Sequence, residues 1–74
     1  MAIRLEVGLV LESKDTDYEP GRQIRLEALL PEGTDPADAV WRCVCVAHPR
    51  RPNRIGSVTL IRATTLRKRW CAPQ

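Results

Sequence analysis

The chain has no Phe, and only two Trp and one Tyr among 74 residues. Any core it builds therefore has to be mainly aliphatic. It has no apolar run approaching the ~18 residues that read as a membrane span. The opening MAIRLEVGLVLES alternates charge with aliphatic side chains, so it reads as neither a signal peptide nor an anchor. One His, no glycine-rich phosphate loop and no nucleophile elbow leave little for acid–base or nucleophilic chemistry. Three Cys is an odd number, and without an export signal they read as reduced thiols in the cytoplasm. Acid is missing too, from one half: residues 39–74 contain eight bases and no Asp or Glu.

The net charge of +3 conceals that asymmetry. Residues 1–38 hold nine acids against four bases, a charge of −5, while residues 39–74 carry +8. The positive charge is gathered into two clusters, PRRPNR (residues 49–54) and RKRW (residues 67–70). An apolar fraction of 43% with 28% charged residues belongs to a folded globular chain. At this length the chain forms one small domain, burying about 60% of the surface its unfolded form exposes.

From Ile3 to Leu11 every odd position is aliphatic, the period of two that marks a strand with one buried face. Residues 13–21 form an acidic connection punctuated by Pro20-Gly21. A second alternation over Ile24–Leu30 predicts a strand antiparallel to the first, ended by Pro31. In PEGTDPADAV, Thr34 or Asp35 caps a short helical turn with Pro36 at its first position. A third strand is predicted over Val40–His48 and a fourth over Ile55–Thr65. A closed hairpin in which His48 faces Ile55 pairs Trp41 with Arg62, Cys43 with Leu60, Cys45 with Val58 and Ala47 with Gly56, and this nearly apolar set turns inward. Val44, Val46, Ile55 and Ile61 then form an apolar band on the outer face, open to use as a dimer seam. Residues 66–74 read as an edge segment or an exposed basic tail. The expected architecture is mainly β: a small antiparallel sheet or barrel of four to five strands with one short helical turn.

The stretch Tyr18-Glu19-Pro20-Gly21 followed by Ile24-x-Leu26 is similar to the lead-in to a strand in many immunoglobulin-like sandwiches. The Cys, Trp and Tyr arrangement of those domains is missing, and nothing of theirs is carried over.

The leading functional candidate is the stiff PRRPNR tip. Its two prolines limit the entropy lost on docking, and the guanidinium groups of Arg50, Arg51 and Arg54 suit phosphates. Arg67, Lys68 and Arg69 extend the basic track, with Trp70 placed to stack on an unpaired base. Eleven strand residues at ~3.3 Å each separate the two clusters by more than ~30 Å unless the tail folds back, so the tip is the main candidate. The plain alternative is a solvated loop and tail kept polar for solubility.

Cys43-x-Cys45, His48 and Cys71 do not have the spacing of a structural zinc site, and buried thiols account better for them. Asp15-x-Asp17-x-Glu19 lacks the glycine and the twelfth-position acid of a calcium loop. Trp41 opposite Arg62 reads as a structural cation–π pair. No cofactor, metal or catalytic residue is assigned. The expected function is a non-enzymatic protein that engages nucleic acid or a nucleoprotein complex through its basic hairpin loop. The alternative is an inhibitor or adaptor, of the kind phages encode, that blocks a host complex through charge-complementary contact. A homodimer through the outer hairpin face is a third possibility, and no membrane role is expected.

Overall fold

The computed structural model describes residues 3–15, 17 and 19–73. Tyr18, which opens the immunoglobulin-like stretch, lies outside the described residues. Five antiparallel strands form one sheet: β1 (Val10–Ser13), β2 (Gln23–Leu30), β3 (Val40–Ala47), β4 (Val58–Arg62) and β5 (Trp70–Cys71), in the order β4-β3-β2-β1-β5. The sheet is curled into a half-barrel. Helix α1 (Ala63–Arg69), the one α-helix among the described residues, joins the two edge strands, and a 3₁₀ turn (Pro52–Arg54) lies in the β3–β4 connection. The small, mainly β fold expected from the sequence is the one observed.

β2 and β3 carry the longest ladder, with Ile24 beside Cys45, Leu26 beside Cys43 and Leu29 beside Trp41. The register shifts between Gln23 and Ile24 and again between Leu26 and Ala28. Irregularities of this kind sharpen the local twist and help the sheet curl. The core comprises Leu5, Leu11, Ile24, Leu26, Trp41, Cys43, Ala63, Leu66 and Trp70, with Ile3, Leu9, Leu29 and Ile61 packed against it. Both tryptophans are thus in the interior.

The first strand is shorter than its alternation suggests. Gly8 has φ +92 and the Leu9 amide donates to Glu6 O at 3.2 Å, so a tight turn interrupts the run and leaves Val7 59% exposed at its apex. Upstream of the turn Leu5 still reaches the core, and the Leu26 amide donates to Leu9 O at 2.9 Å. Residues 34–38 form a turn instead of a helix. Asp35 accepts from the Ala37 amide through Oδ1 and from the Asp38 amide through its carbonyl, both at 2.9 Å, and the winding stops there.

The β3–β4 register differs by one residue from the expected closed hairpin. Trp41 lies beside Ile61, Cys43 beside Thr59 and Val44 beside Val58. The connection explains the slip. It closes on Cys45, which donates to Ser57 O and accepts from the Gly56 amide, with Gly56 at φ +91, so His48 does not face Ile55. The faces of β3 are as expected, with Trp41, Cys43 and Cys45 buried, but those of β4 are exchanged. Ile61 packs inward, while Val58 and Leu60 are exposed. Trp41 accordingly has no partner in Arg62, which lies beside Val40.

Residues 63–71 also depart from the expected strand and tail. Ala63, Leu66 and Trp70 are all buried. That spacing puts one apolar face on a helix and its C-terminal cap residue. Leu, Arg and Lys are good helix formers, and Arg67, Lys68 and Arg69 stand in the last turn, where cations complement the helix dipole. β5 then pairs with β1, Ser13 beside Trp70 and Glu12 beside Cys71, which brings the end of the chain back across the molecule. Among the described residues no helix is long and apolar enough to cross a membrane.

Candidate nucleic-acid interface

The β1–β2 connection provides one wall of the site. In Glu19-Pro20-Gly21-Arg22 the Arg22 amide donates to Glu19 O at 3.1 Å, and Gly21 takes φ +79. Pro in the second place and a positive-φ Gly in the third define a type II turn. Its closure brings together the side chains at its two ends. Arg22 Nη1 donates to both carboxylate oxygens of Glu19, at 2.8 and 2.9 Å. The Arg22 guanidinium also lies over the Trp70 ring, 5.6 Å from its centroid. Burial alone would lower the Arg22 pKa, but its hydrogen bonding to Glu19 and the Glu19 charge outweigh burial and raise it, with a smaller contribution from Cys45.

The second wall is the β3–β4 connection. Four successive turn bonds, from Arg51 N to His48 O, Arg54 N to Arg51 O, Ile55 N to Pro52 O and Ser57 N to Arg54 O, wind the PRRPNR segment into a compact cap. The cap rests directly on the first wall. A Cβ placed on Gly21 would lie 3.0 Å from Pro49 Cγ, so the Pro49 ring leaves little room for a side chain at Gly21. Arg50 reinforces the contact, its Nη1 donating to Asp17 O at 3.1 Å.

Between the walls is a hollow of about 250 Å³ lined by Glu19, Arg22, His48, Arg51 and Arg54. Arg51 and Arg54 are exposed on its rim, whereas His48 is only 5% exposed. His48 Nδ1 and Arg22 Nε are buried without a hydrogen-bond partner among the described residues. Of the three tip arginines singled out from the sequence, Arg51 and Arg54 therefore converge on the hollow, while Arg50 is committed to holding the cap down.

No protein family, curated protein or solved structure matches the chain.

The second basic cluster is divided. Arg67 Nη1 donates to Ala37 O at 2.9 Å, tying α1 to the 34–38 turn and forming part of a separate groove with Ile3, Leu5 and Pro36. Lys68 and Arg69 are exposed and line a third depression with Lys14, Asp15 and Glu19. Glu19 belongs to both this depression and the arginine hollow. The tip and the Lys68–Arg69 pair are thus neighbours around one carboxylate, not opposite ends of a hairpin, because α1 reverses the chain. Trp70 is 5% exposed and covered by Arg22, so it serves the core and presents no open ring face.

The cysteines are free. Burial pushes the Cys43 thiol up to about 11, with Arg22 nearby partly opposing the rise, so it stays a thiol at neutral pH. Among the described residues no group of three or more His, Cys, Asp and Glu side chains is arranged to hold a metal ion. Sequence reasoning missed Arg22 and Glu19 as part of the site. Their signal was present in the Glu-Pro-Gly-Arg turn, which sets the first and fourth side chains beside each other.

Proposed function

We propose that the protein is a non-enzymatic, cytoplasmic binding protein that engages a nucleic-acid strand, free or in a nucleoprotein complex, through Arg51 and Arg54. One observation carries this reading. Arg51 and Arg54, on a braced cap from the half of the chain that has no acid, converge with His48 and with the Glu19–Arg22 pair of the opposite turn around a concave surface. Guanidinium groups bind phosphate oxygens bidentately, and a cap already ordered by its turn bonds and by Pro49 against Gly21 loses little freedom on docking. Lys68 and Arg69, across Glu19, extend the basic surface along a bound backbone.

Binding of mixed-sequence single-stranded DNA and RNA across a salt titration tests the proposal. Each phosphate neutralised contributes about −0.7 to the slope of log affinity against log salt for single strands. A slope of two or more contacts, reduced in Arg51→Ala and Arg54→Ala, is the expected result; a flat response with the fold intact rejects it.

A second reading is supported by the outer sheet face. Val58 and Leu60 are 52% and 59% exposed on the edge strand β4, with exposed Arg42 and Arg62 on either side of them. Aliphatic and arginine side chains together suit a protein contact, as in an inhibitor or adaptor of phage type or in self-association. Leu60→Lys would abolish such a contact and leave the nucleic-acid salt dependence unchanged.

A further inference from the structure

We propose that the hollow between Arg51 and Arg54 takes the terminal phosphate of a nucleic-acid strand, an inference that rests on the nucleic-acid reading above and specifies its ligand.

Charge is the first argument. Both oxygens of Glu19 are engaged by Arg22, so these two lining groups offset one another. Arg51 and Arg54 remain as two uncompensated cations on the hollow. A phosphomonoester carries about −1.5 to −2 at neutral pH, whereas a phosphodiester within a strand carries only one charge. Two arginines match the end of a strand better than its middle.

Shape is the second. A mid-strand phosphate has chain leaving in two directions and two free oxygens, which suits a ridge or an open groove. A terminal phosphate has three free oxygens and enters head-on. A half-open hollow of about 250 Å³, lined by side chains from two connections, leaves room for such a group with its sugar toward the solvent. The two donors, Arg51 and Arg54, come from the cap, opposite the wall made by the Glu19–Arg22 pair.

His48 is the third. It is only 5% exposed, lines the hollow, and has Nδ1 without a hydrogen-bond partner among the described residues. Buried polar atoms ordinarily find a partner, so an unsatisfied one in a residue that lines the hollow is a polar group that a small shift of the ring on ligand entry could satisfy. Arg22 positions this wall without contacting the phosphate through Nη1, which is held by Glu19.

The test compares one short single-stranded sequence in four forms: 5′-phosphorylated, 3′-phosphorylated, with hydroxyls at both ends, and circular. Binding is followed by fluorescence anisotropy at fixed low salt. One phosphorylated form should bind about tenfold tighter than the hydroxyl and circular forms, as expected for added charge-assisted hydrogen bonds. Arg51→Ala and Arg54→Ala, both at exposed positions, should bring that ratio close to one, while Arg62→Ala on the outer sheet face should leave it intact. A nucleoside monophosphate should compete with the phosphorylated strand and the parent nucleoside should not. Equal affinity for all four forms, with the usual salt dependence, overturns the terminal-phosphate site and leaves nucleic-acid binding standing. No binding of any form overturns both. Inorganic phosphate that binds as tightly as the strand also overturns the inference, since the strand would then not be the ligand.

Discussion

The guanidinium carbon of Arg22 stands 5.6 Å from the centre of the Trp70 ring, and the same guanidinium is held by Glu19. One side chain therefore joins the interior of the protein to the wall of its basic hollow. Arg22 is separated from Trp70 by most of the chain, yet β1 brings them together by pairing with β2 on one side and β5 on the other.

Arg22→Ala should remove the stacking on Trp70 and leave Glu19 unpaired, at a cost of about 1–3 kcal/mol in stability. Arg22→Lys should recover only part of this, because an ammonium cannot reproduce the planar fork. Urea denaturation of the three proteins measures it, and an Arg22→Ala variant as stable as the parent would show that the pair contributes nothing.

Glycine substitutions separate backbone strain from packing. Gly8 and Gly21 both have positive φ, but a Cβ at Gly8 meets nothing within 4 Å, whereas one at Gly21 meets Pro49 at 3.0 Å. Gly8→Ala should cost about 1–2 kcal/mol from the backbone alone. Gly21→Ala should cost more and also weaken ligand binding, because the cap must lift from the turn. Equal losses of stability would indicate that the Pro49 contact is readily relieved.

The β3–β4 register makes opposite predictions for neighbouring residues. Leu60→Lys should change stability by no more than about 0.5 kcal/mol, since its side chain is already in solvent. Ile61→Lys should cost more than about 2 kcal/mol, because Ile61 packs against the core. The reverse order would restore the register in which Leu60 turns inward.

Leu66 provides a similar test of the helix. It is fully buried, and Leu66→Ala should destabilise the fold by about 2–5 kcal/mol. A tail free in solvent would tolerate the change with no loss detectable by thermal unfolding.

The Cys43 thiol adds a pH dependence at the alkaline end. Its pKa rises from 9.0 to about 11 on folding because burial disfavours the thiolate. The thiol form is favoured in the folded state, so this contribution is complete below pH ~9 and is lost as pH rises through about 11. Relative to Cys43→Ala, the parent protein should lose stability over that window. Parallel stability curves for the two proteins through the window would show that Cys43 is not the group responsible.

The parts legible in the sequence were those set by strict local patterns. β2 alternates from Ile24 through Leu26 as expected, but the irregularity between Leu26 and Ala28 then turns Leu29 to the core and leaves Leu30 exposed, where alternation puts Ala28 and Leu30 inward. Periodicity leaves the faces of β3 and β4 open, and the closed-hairpin register gives those of β3 correctly and those of β4 reversed. Where one glycine conformation decided the outcome, the pattern misled. Gly8 folds the first run at a turn, although alternation continues through it. Gly56 and Cys45 set a β3–β4 register that hydrophobicity alone could not distinguish from its neighbour. The helix was hidden because Thr64 and Thr65 suit a strand, while Ala63, Leu66 and Trp70 declare a helical face only when read at intervals of three and four. The site was half visible. Clustered charge marked Arg51 and Arg54, but Arg22 and His48 join them through contacts between two loops that no local pattern encodes.

The helix that joins the edge strands also limits how flat the sheet can be. Laid out flat, five strands at about 4.8 Å spacing would separate β4 from β5 by about 19 Å. Seven helical residues rise only about 10 Å. The chain can run from one edge to the other through α1 only if the sheet bends toward itself, so α1 acts as the chord of an arc. Bending also carries the β1–β2 turn, next to one edge, toward the β3–β4 cap, next to the other. The depth of the arginine hollow is in this sense a matter of arc length, and adding a turn to α1 should open it without touching a single residue that lines it.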